Sequence, residues 1–482
     1  MYINGEWSKS GKVLEIRNPA TGEFVSEVYT VGKIETQQAI QAAKDAFPSW
    51  SAHTAEERAE YLHKIVEKLT ERKEHLARTI TQEMGKTIQH SRYEVDSTIS
   101  FFKWYAEEAR RVYGDIIPAS VNNKRISVIK QPIGVVAAIT PWNFPLSMTA
   151  RKLGPALAVG CTVILKPSRE APLSSVELFK IFEEVNLPKG VVNLVIGNSS
   201  DIVGEIMESK DVRKISFTGS TDVGKILIRQ SADTVKRVSM ELGGHAPFIV
   251  FGDADIELAV SGAIKSKFGS NGQQCVCANR IYIHDSIYDE FSEQFVKAVS
   301  TMVVGNGLEE NVHMGPLVNQ SSVDKVMDQV NDAKSKGATV AFGGESLNEG
   351  EYNKGYFVTP TVLLNVNENM KITTEETFGP VAPLIRFTSE DDVLEKANNI
   401  EYGLASYIYT NDLSRMYRVS EKLDYGMVGV NDPAPFAAQI AFGGVKESGS
   451  GREGGKYGLE DYLEMKTISV QFKNVSEKIS LK

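Results

Sequence analysis

Apolar residues recur at helical spacing through 34–47, where Ile34, Ala39, Ile40, Ala43 and Phe47 share one stripe. The spacing continues through 55–80 with Tyr61, Leu62, Ile65, Leu69, Leu76 and Ile80. Each stretch predicts a helix with one face turned to a core. From residue 133 the pattern changes. Continuous apolar runs rich in β-branched residues occupy 134–139, 162–165, 191–196, 214–217 and 247–251. Helical patterns at 146–159, 173–186, 200–208 and 222–232 separate most of them. This alternation predicts an α/β architecture: a parallel sheet covered on both faces, with ligands beyond the carboxyl ends of its strands. A second alternation predicts a second α/β domain, with helices near 255–268, 285–302 and 320–336 and strands at 279–283, 361–365, 381–387 and 404–409. Two segments fit neither rhythm. Residues 115–132 read as a protruding hairpin and 465–472 as a further exposed strand, and exposed strands seek partner edges, which predicts contact between copies of the chain.

The length of 482 residues is too great for one ordinary core, so about two or three domains are expected. A net charge of −9 argues against a general nucleic-acid grip. No apolar run approaches the roughly 20 residues of a membrane helix, and Met1–Trp7 lacks a basic, apolar leader, so the cytoplasm is the expected location. The cysteines are Cys161, Cys275 and Cys277, which form no disulfide framework and suit a reducing compartment.

Four stretches carry candidate chemistry. In 268–275 (FGSNGQQC) glycines free the backbone before Cys275, which reads as an activated nucleophile or as an inert core thiol. In 240–247 (MELGGHAP) Glu241 ends a strand-like run, where partial desolvation would raise its pKa toward that of a general base; a surface carboxylate is the plainer alternative. In 140–145 (TPWNFP) prolines stiffen a loop that offers the amide of Asn143, an oxyanion donor or a turn residue. Residues 217–225 (FTGSTDVGK) lie between a strand and a helix and nearly match a phosphate loop, but Ile226 stands where that motif needs a hydroxyl. The helix start at Ser220 still suits a pyrophosphate. No G-x-S-x-G or H-E-x-x-H occurs, and the histidines show no metal-ligand spacing, so no metal is expected.

In this order, and together with Lys166-Pro-Ser, Glu375-Glu-Thr-Phe-Gly-Pro380 and Phe442-Gly-Gly-Val-Lys-Glu-Ser-Gly449, these stretches resemble the aldehyde dehydrogenase superfamily over essentially the whole chain. The resemblance implies that Cys275 attacks the aldehyde, that Asn143 and the Cys275 N–H hold the oxyanion, that Glu241 activates the hydrolytic water, and that Lys152 assists proton relay. It places Glu376, Phe378 and Trp142 at the nicotinamide and its ribose, Lys166 at the adenosine ribose and Ser220 at the pyrophosphate. Thr140, Ser168, Arg169, Gly219, Gly224 and Leu242 complete the expected cofactor surface. The implied fold is a Rossmann-type nicotinamide domain (1–112 and 133–243), an α/β catalytic domain (244–444) and a small β oligomerisation arm (113–132 and 445–482) that joins homodimers or homotetramers.

Within the superfamily the chain looks most like the succinate-semialdehyde dehydrogenase group, through 272–280 (GQQCVCANR), 238–247 and 451–455 (GREGG). Arg151 matches that group's substrate-carboxylate arginine. The group's second arginine is replaced by Gly269 and its carboxylate-holding serine by Ala437 or a neighbour, which leaves lactaldehyde, aromatic aldehydes and other semialdehydes open. Phe102 and Phe436 are expected to line an apolar mouth. At Lys166+3, where the family's NAD users commonly place a glutamate, this chain has Arg169, so NADP⁺ is expected to be accepted and weakly favoured over NAD⁺. Cys277 resembles a redox partner of Cys275, with a plain core thiol as its alternative.

Overall fold

The buried strands from 134 to 251 belong to two separate sheets in the computed structural model, which describes residues 1–473. The first sheet runs in the order Glu6–Trp7, Tyr2–Ile3, Val192–Leu194, Thr162–Lys166, Val135–Ile139, Val212–Thr218, Arg237–Glu241, Gly449–Ser450. Its five inner strands are parallel, and short antiparallel strands close both edges. Every residue of Val135–Ile139 and Thr162–Lys166 is buried, as expected of a sheet covered on both faces. The chain builds outward from Val135–Ile139 in both directions. The strand order therefore reverses between that strand and Val212–Thr218, and this switch opens a crevice at their carboxyl ends.

The second sheet orders Thr339–Phe342, Thr361–Leu364, Val381–Phe387, Ala278–His284, Ala246–Val250, Ala405–Tyr409 and Met427–Val430, all parallel except the first pair. The chain leaves the carboxyl end of Arg237–Glu241 and enters the amino end of Ala246–Val250 within five residues. The carboxyl ends of one sheet thus face the amino ends of the other, and the residues between them border the cleft.

Residues 115–132 form two strands, Asp115–Ile117 and Lys124–Pro132, and Leu463–Gln471 pairs antiparallel along the whole of the latter, from Leu463 opposite Pro132 to Gln471 opposite Lys124. Ile116 and Met465 are 81% and 77% exposed on this arm. The segment 445–482 divides. Gly449–Ser450 joins the first sheet, helix Tyr457–Glu460 packs beside helix Ser147–Val159, only Leu463–Gln471 enters the arm, and 474–482 lies outside the described residues.

The amino-terminal helices differ from the periodicity in two ways. The 55–80 stretch breaks at Arg72 into Ala55–Glu71 and Lys73–Met84, and helix Lys33–Ala52 runs past Pro48 to bury Trp50. Ile34 lies in its first turn, 68% exposed, and Phe47 is half-buried, so the stripe proper is Ala39, Ile40, Ala43, Ala46 and Trp50. A further helix, Ile88–Glu108, lies between these and Ser147–Val159.

Candidate active site

The loop before Ala278–His284 is bent through two consecutive left-handed residues, Ser270 (φ 50°) and Asn271 (φ 60°). A non-glycine side chain in that region costs energy unless its surroundings hold it, and here they do. Asn271 Nδ2 donates to the Pro316 carbonyl at 2.8 Å while its Oδ1 accepts the Gly315 N–H at 2.8 Å. Gly272 admits no side chain, since a Cβ would meet the Gly379 carbonyl oxygen at 2.4 Å. The bend sets Cys275, half-buried, on the wall shared by two cavities.

The first cavity, about 440 Å³, is mainly apolar and is lined by Phe101, Phe144, Met148, Tyr407, Phe436 and Phe442, with Arg151, His90 and Gln274 among its polar groups. Phe436 therefore stands where sequence reasoning put it, and Phe102 does not. Phe102 is fully buried on the other side of its helix and packs edge-on against Phe182 at 6.4 Å, and its neighbour Phe101 faces the cavity instead. Adjacent residues of a helix point about 100° apart, and the apolar pattern did not distinguish the core-facing ring from the cavity-facing one. Arg151 is 7% exposed, with its guanidinium over Phe442 at 4.3 Å and Phe101 at 4.9 Å. Its Nε and Nη1 have no hydrogen-bond partner among the described residues, and its nearest carboxylate, on Glu453, is 3.8 Å from Nη1.

The second cavity, about 280 Å³, is lined by Trp142, Asn143, Thr218, Gly219, Ser220, Leu242, Gly243, Lys325, Glu376 and Phe378. It lies at the strand-order switch, where Val135–Ile139 runs into Thr140–Asn143 and Val212–Thr218 into Gly219–Ser220. Trp142 and Phe378 meet edge-to-face at 5.5 Å, and Phe378 is held at φ 53°. Glu376 accepts the Gly244 N–H at 3.0 Å, and burial pushes its carboxyl up to about 7. Ser220 begins helix Thr221–Ser231 with its hydroxyl uncommitted, and Gly224 lets that helix close on Leu242, because a Cβ there would lie 2.4 Å from Leu242 Cδ2. The buried hydroxyls of Thr140, Thr218 and Thr377 have no partner among the described residues. The Thr140 N–H bonds the Lys166 carbonyl at 3.1 Å, which links the adjoining ledge of Lys166, half-buried Ser168 and exposed Arg169. Burial, with Arg169 nearby, lowers the Lys166 ammonium to about 8. Unpartnered hydroxyls, an open helix start and two ring walls fit a dinucleotide.

Around Cys275 the charges are buried and incompletely matched. Burial raises its thiol to about 12, with Glu376 adding to the shift, so the sulfur stays protonated until a base takes its proton. Asn143 Nδ2 donates to the Gln273 carbonyl at 3.1 Å, which fixes its amide while one N–H remains. Glu241 ends its strand 3% exposed, and neither carboxylate oxygen has a partner among the described residues. Burial, and after it the charge of Glu453, hold its carboxyl well above the ordinary range. Lys152 Nζ is bound at 2.6 Å to Glu453, a residue that sequence reasoning passed over although it sits inside the GREGG motif. A lone glutamate in a glycine-rich loop reads as surface, but this one is 5% exposed. Lys325 and Tyr407 were missed likewise. Tyr407 donates to the Val276 carbonyl at 2.7 Å and so braces the cysteine loop. Cys277 lines neither cavity, and its thiol points to the Lys267 carbonyl at 3.3 Å in the core.

A model of the aldehyde dehydrogenase family matches residues 7–468. The chain is 49% identical to a glutarate-semialdehyde dehydrogenase of Pseudomonas putida, over 97% of both chains. It is 48% identical to an NADP⁺ succinate-semialdehyde dehydrogenase of Escherichia coli, again over 97% of both. A crystal structure of succinate-semialdehyde dehydrogenase from Burkholderia pseudomallei superposes with a TM-score of 0.96 at 46% identity, covering 98% of this chain and 97% of that one. The cysteine-bearing loop between two cavities, one of them at the strand-order switch, thus lies in a chain matched across nearly its full length, and the chain belongs to the aldehyde dehydrogenase family.

Proposed function

We propose that the protein oxidises an aldehyde bearing a distal carboxylate to the diacid, with succinate semialdehyde as the leading substrate and NADP⁺ or NAD⁺ as oxidant. One observation carries this reading: a buried guanidinium with two unpartnered nitrogens lines an apolar cavity that ends at the nucleophilic sulfur. A buried guanidinium whose hydrogen bonds are unmet is costly, and a ligand carboxylate relieves that cost with charge-assisted hydrogen bonds. The names of the relatives, which act on succinate and glutarate semialdehydes, support the same class. Glutarate semialdehyde, one carbon longer, is the second reading, favoured by the space left open at Gly269.

The chain's own residues supply the following steps. A base takes the Cys275 proton as sulfur bonds to the carbonyl carbon, and the oxygen gains the electron pair. Asn143 and the Cys275 N–H stabilise that oxyanion, an effect of about 3–4 kcal/mol per donor. Trp142, Phe378 and Glu376 would hold the nicotinamide, which when bound would accept the hydride that leaves the tetrahedral carbon as the oxyanion collapses. The thioester left on Cys275 is then cleaved by water whose proton passes to Glu241, for which a raised carboxyl is suited near neutral pH. Lys152 and Glu453 offer that proton a route onward. Thr218, Ser220 and Lys166 would hold the dinucleotide, and Arg169 on the ledge favours a 2′-phosphate. Copies are proposed to join through the three-stranded arm into dimers or tetramers, and the cytoplasm is the proposed location. Among the described residues no helix is long and apolar enough to cross a membrane.

The test is initial rates with succinate semialdehyde, glutarate semialdehyde, lactaldehyde and benzaldehyde, each with both cofactors. Acid semialdehydes should lead by kcat/KM; a lead by benzaldehyde or lactaldehyde would overturn the substrate class.

A further inference from the structure

One edge of the Arg151 guanidinium grips a carboxylate through two hydrogen bonds, yet a carboxylate has lone pairs for about four. The oxygens that Arg151 leaves unserved would sit in an apolar cavity, where an unpaired acceptor is costly. The same cavity contains a second polar cluster, formed by His90, Ser270 and Gln274 around Gly269. A Cβ placed on Gly269 would lie 3.2 Å from Gln274 Nε2 and 3.6 Å from His90 Nε2, so both nitrogens converge on one spot that the glycine leaves open. Ser270 is 1% exposed, lines the cavity, and its hydroxyl has no partner among the described residues.

One tautomer of His90 makes full use of the Thr87 hydroxyl. The Thr87 hydroxyl oxygen accepts the His90 backbone N–H at 3.4 Å as the cap of helix Ile88–Glu108, which leaves the hydroxyl proton for His90 Nδ1 at 2.9 Å. With Nδ1 as the acceptor, the ring proton sits on Nε2, the atom facing the opening at Gly269. Burial, with the Lys86 ammonium nearby, lowers the imidazolium to about 4, so this group is a neutral donor in the physiological range. Gln274 Nε2 spends one N–H on the Ser266 carbonyl at 3.4 Å and keeps the other. Lys265, also on the lining, is exposed and remains solvated.

We propose that His90, with Gln274 and Ser270, forms an uncharged donor corner that holds the distal acid group of the substrate together with Arg151 and sets the preference for acid aldehydes over neutral ones. The proposal rests on the acid-aldehyde reading above and names the residues that complete its binding site. It divides the recognition in two. Arg151 supplies charge, and the His90 corner supplies directed N–H and O–H groups that add no second cation to a desolvated cavity. Because the corner borders the open space at Gly269, it acts most strongly on the longer acid.

The experiment measures kcat/KM for succinate and glutarate semialdehydes against butanal and pentanal, in the wild type and in H90F, H90Q, S270A and R151M. The readout is the acid-to-neutral ratio at matched chain length. H90F should lower that ratio about tenfold, more for glutarate semialdehyde than for succinate semialdehyde. H90Q, which returns an N–H donor, should restore most of it, and S270A should lower it less than H90F. R151M should lower it most. If R151M collapses the ratio while H90F and S270A leave it unchanged, the donor corner is refuted and the acid-aldehyde reading stands. If R151M leaves it unchanged, that reading falls as well. Turnover of the neutral aldehydes shows that each variant is folded, and if H90F loses it altogether, H90Q and S270A decide by the same ratio.

Discussion

Two buried charged clusters meet helix Ser147–Val159, one at its start and one a turn later, and they are wired differently. At the start, Lys86 Nζ lies 2.6 Å from Glu94 Oε2 and 3.6 Å from the centre of the Phe144 ring. The other oxygen of Glu94 accepts the N–H groups of Leu146 and Ser147 at 2.8 and 3.1 Å. Both oxygens are used, and the carboxylate also favours the positive end of the helix. A turn later, Arg151, Glu241 and Glu453 are buried too, but each retains at least one unpartnered polar atom among the described residues. Buried polar groups are normally satisfied within the fold. The first cluster obeys that rule and positions the Asn143 loop; the second breaks it where a substrate, a water and a cofactor would complete the bonding.

The comparison breaks most visibly at the sulfur. C275S should reduce aldehyde-dependent reduction of the dinucleotide by roughly 10⁴–10⁶-fold, measured as initial rate, with little change in thermal midpoint. E241Q should lower steady-state turnover by about 10²–10⁴-fold and let a thioester accumulate, visible by mass spectrometry of the quenched enzyme. The wild type should lose turnover as pH falls, because the base proposed at Glu241 can take a proton only as the carboxylate. Its raised pKa moves that acid limb above the range of a free glutamate, and the limb should be absent from E241Q.

K86M tests the other cluster. It leaves Glu94 as an uncompensated buried charge and should cost about 3–5 kcal/mol of stability by denaturant titration. E241Q and R151M remove unsatisfied groups, so they should leave stability unchanged or raise it. If all three destabilise equally, the two clusters are the same kind of structure and the distinction fails. The smallest effect belongs to the ledge: R169E should shift the NADP⁺-to-NAD⁺ ratio of kcat/KM about tenfold toward NAD⁺.

Much of this was legible because parallel strands buried on both faces read as unbroken apolar runs. The runs at 134–139 and 162–165 differ from strands Val135–Ile139 and Thr162–Lys166 by one residue at an end. The exposed segments 115–132 and 465–472 were legible through their alternation, and the structure pairs them with each other. Helix Ile88–Glu108 went unread because it is buried on more than one side, with Glu94, Thr98 and Ser91 among its buried residues, and so shows no clean stripe. The same interior carboxylates were invisible as Glu94 and Glu453, since a charge in a sequence reads as surface until its partner is known. Phe101 and Phe102 show the same limit for apolar residues, where the sequence says that both rings are covered but not by what.

Asn271 joins the Pro316 carbonyl and the Gly315 N–H, and its Nδ2 also reaches the Gly85 carbonyl at 3.4 Å. One side chain, four residues before Cys275, thus anchors both the helical layer that ends at Gly85 and the lobe built on the second sheet. Prising those layers apart would pull the sulfur out of register. A dinucleotide admitted by rearranging the walls around Trp142 and Phe378 would leave these hydrogen bonds, and the grip of both halves on the loop, intact.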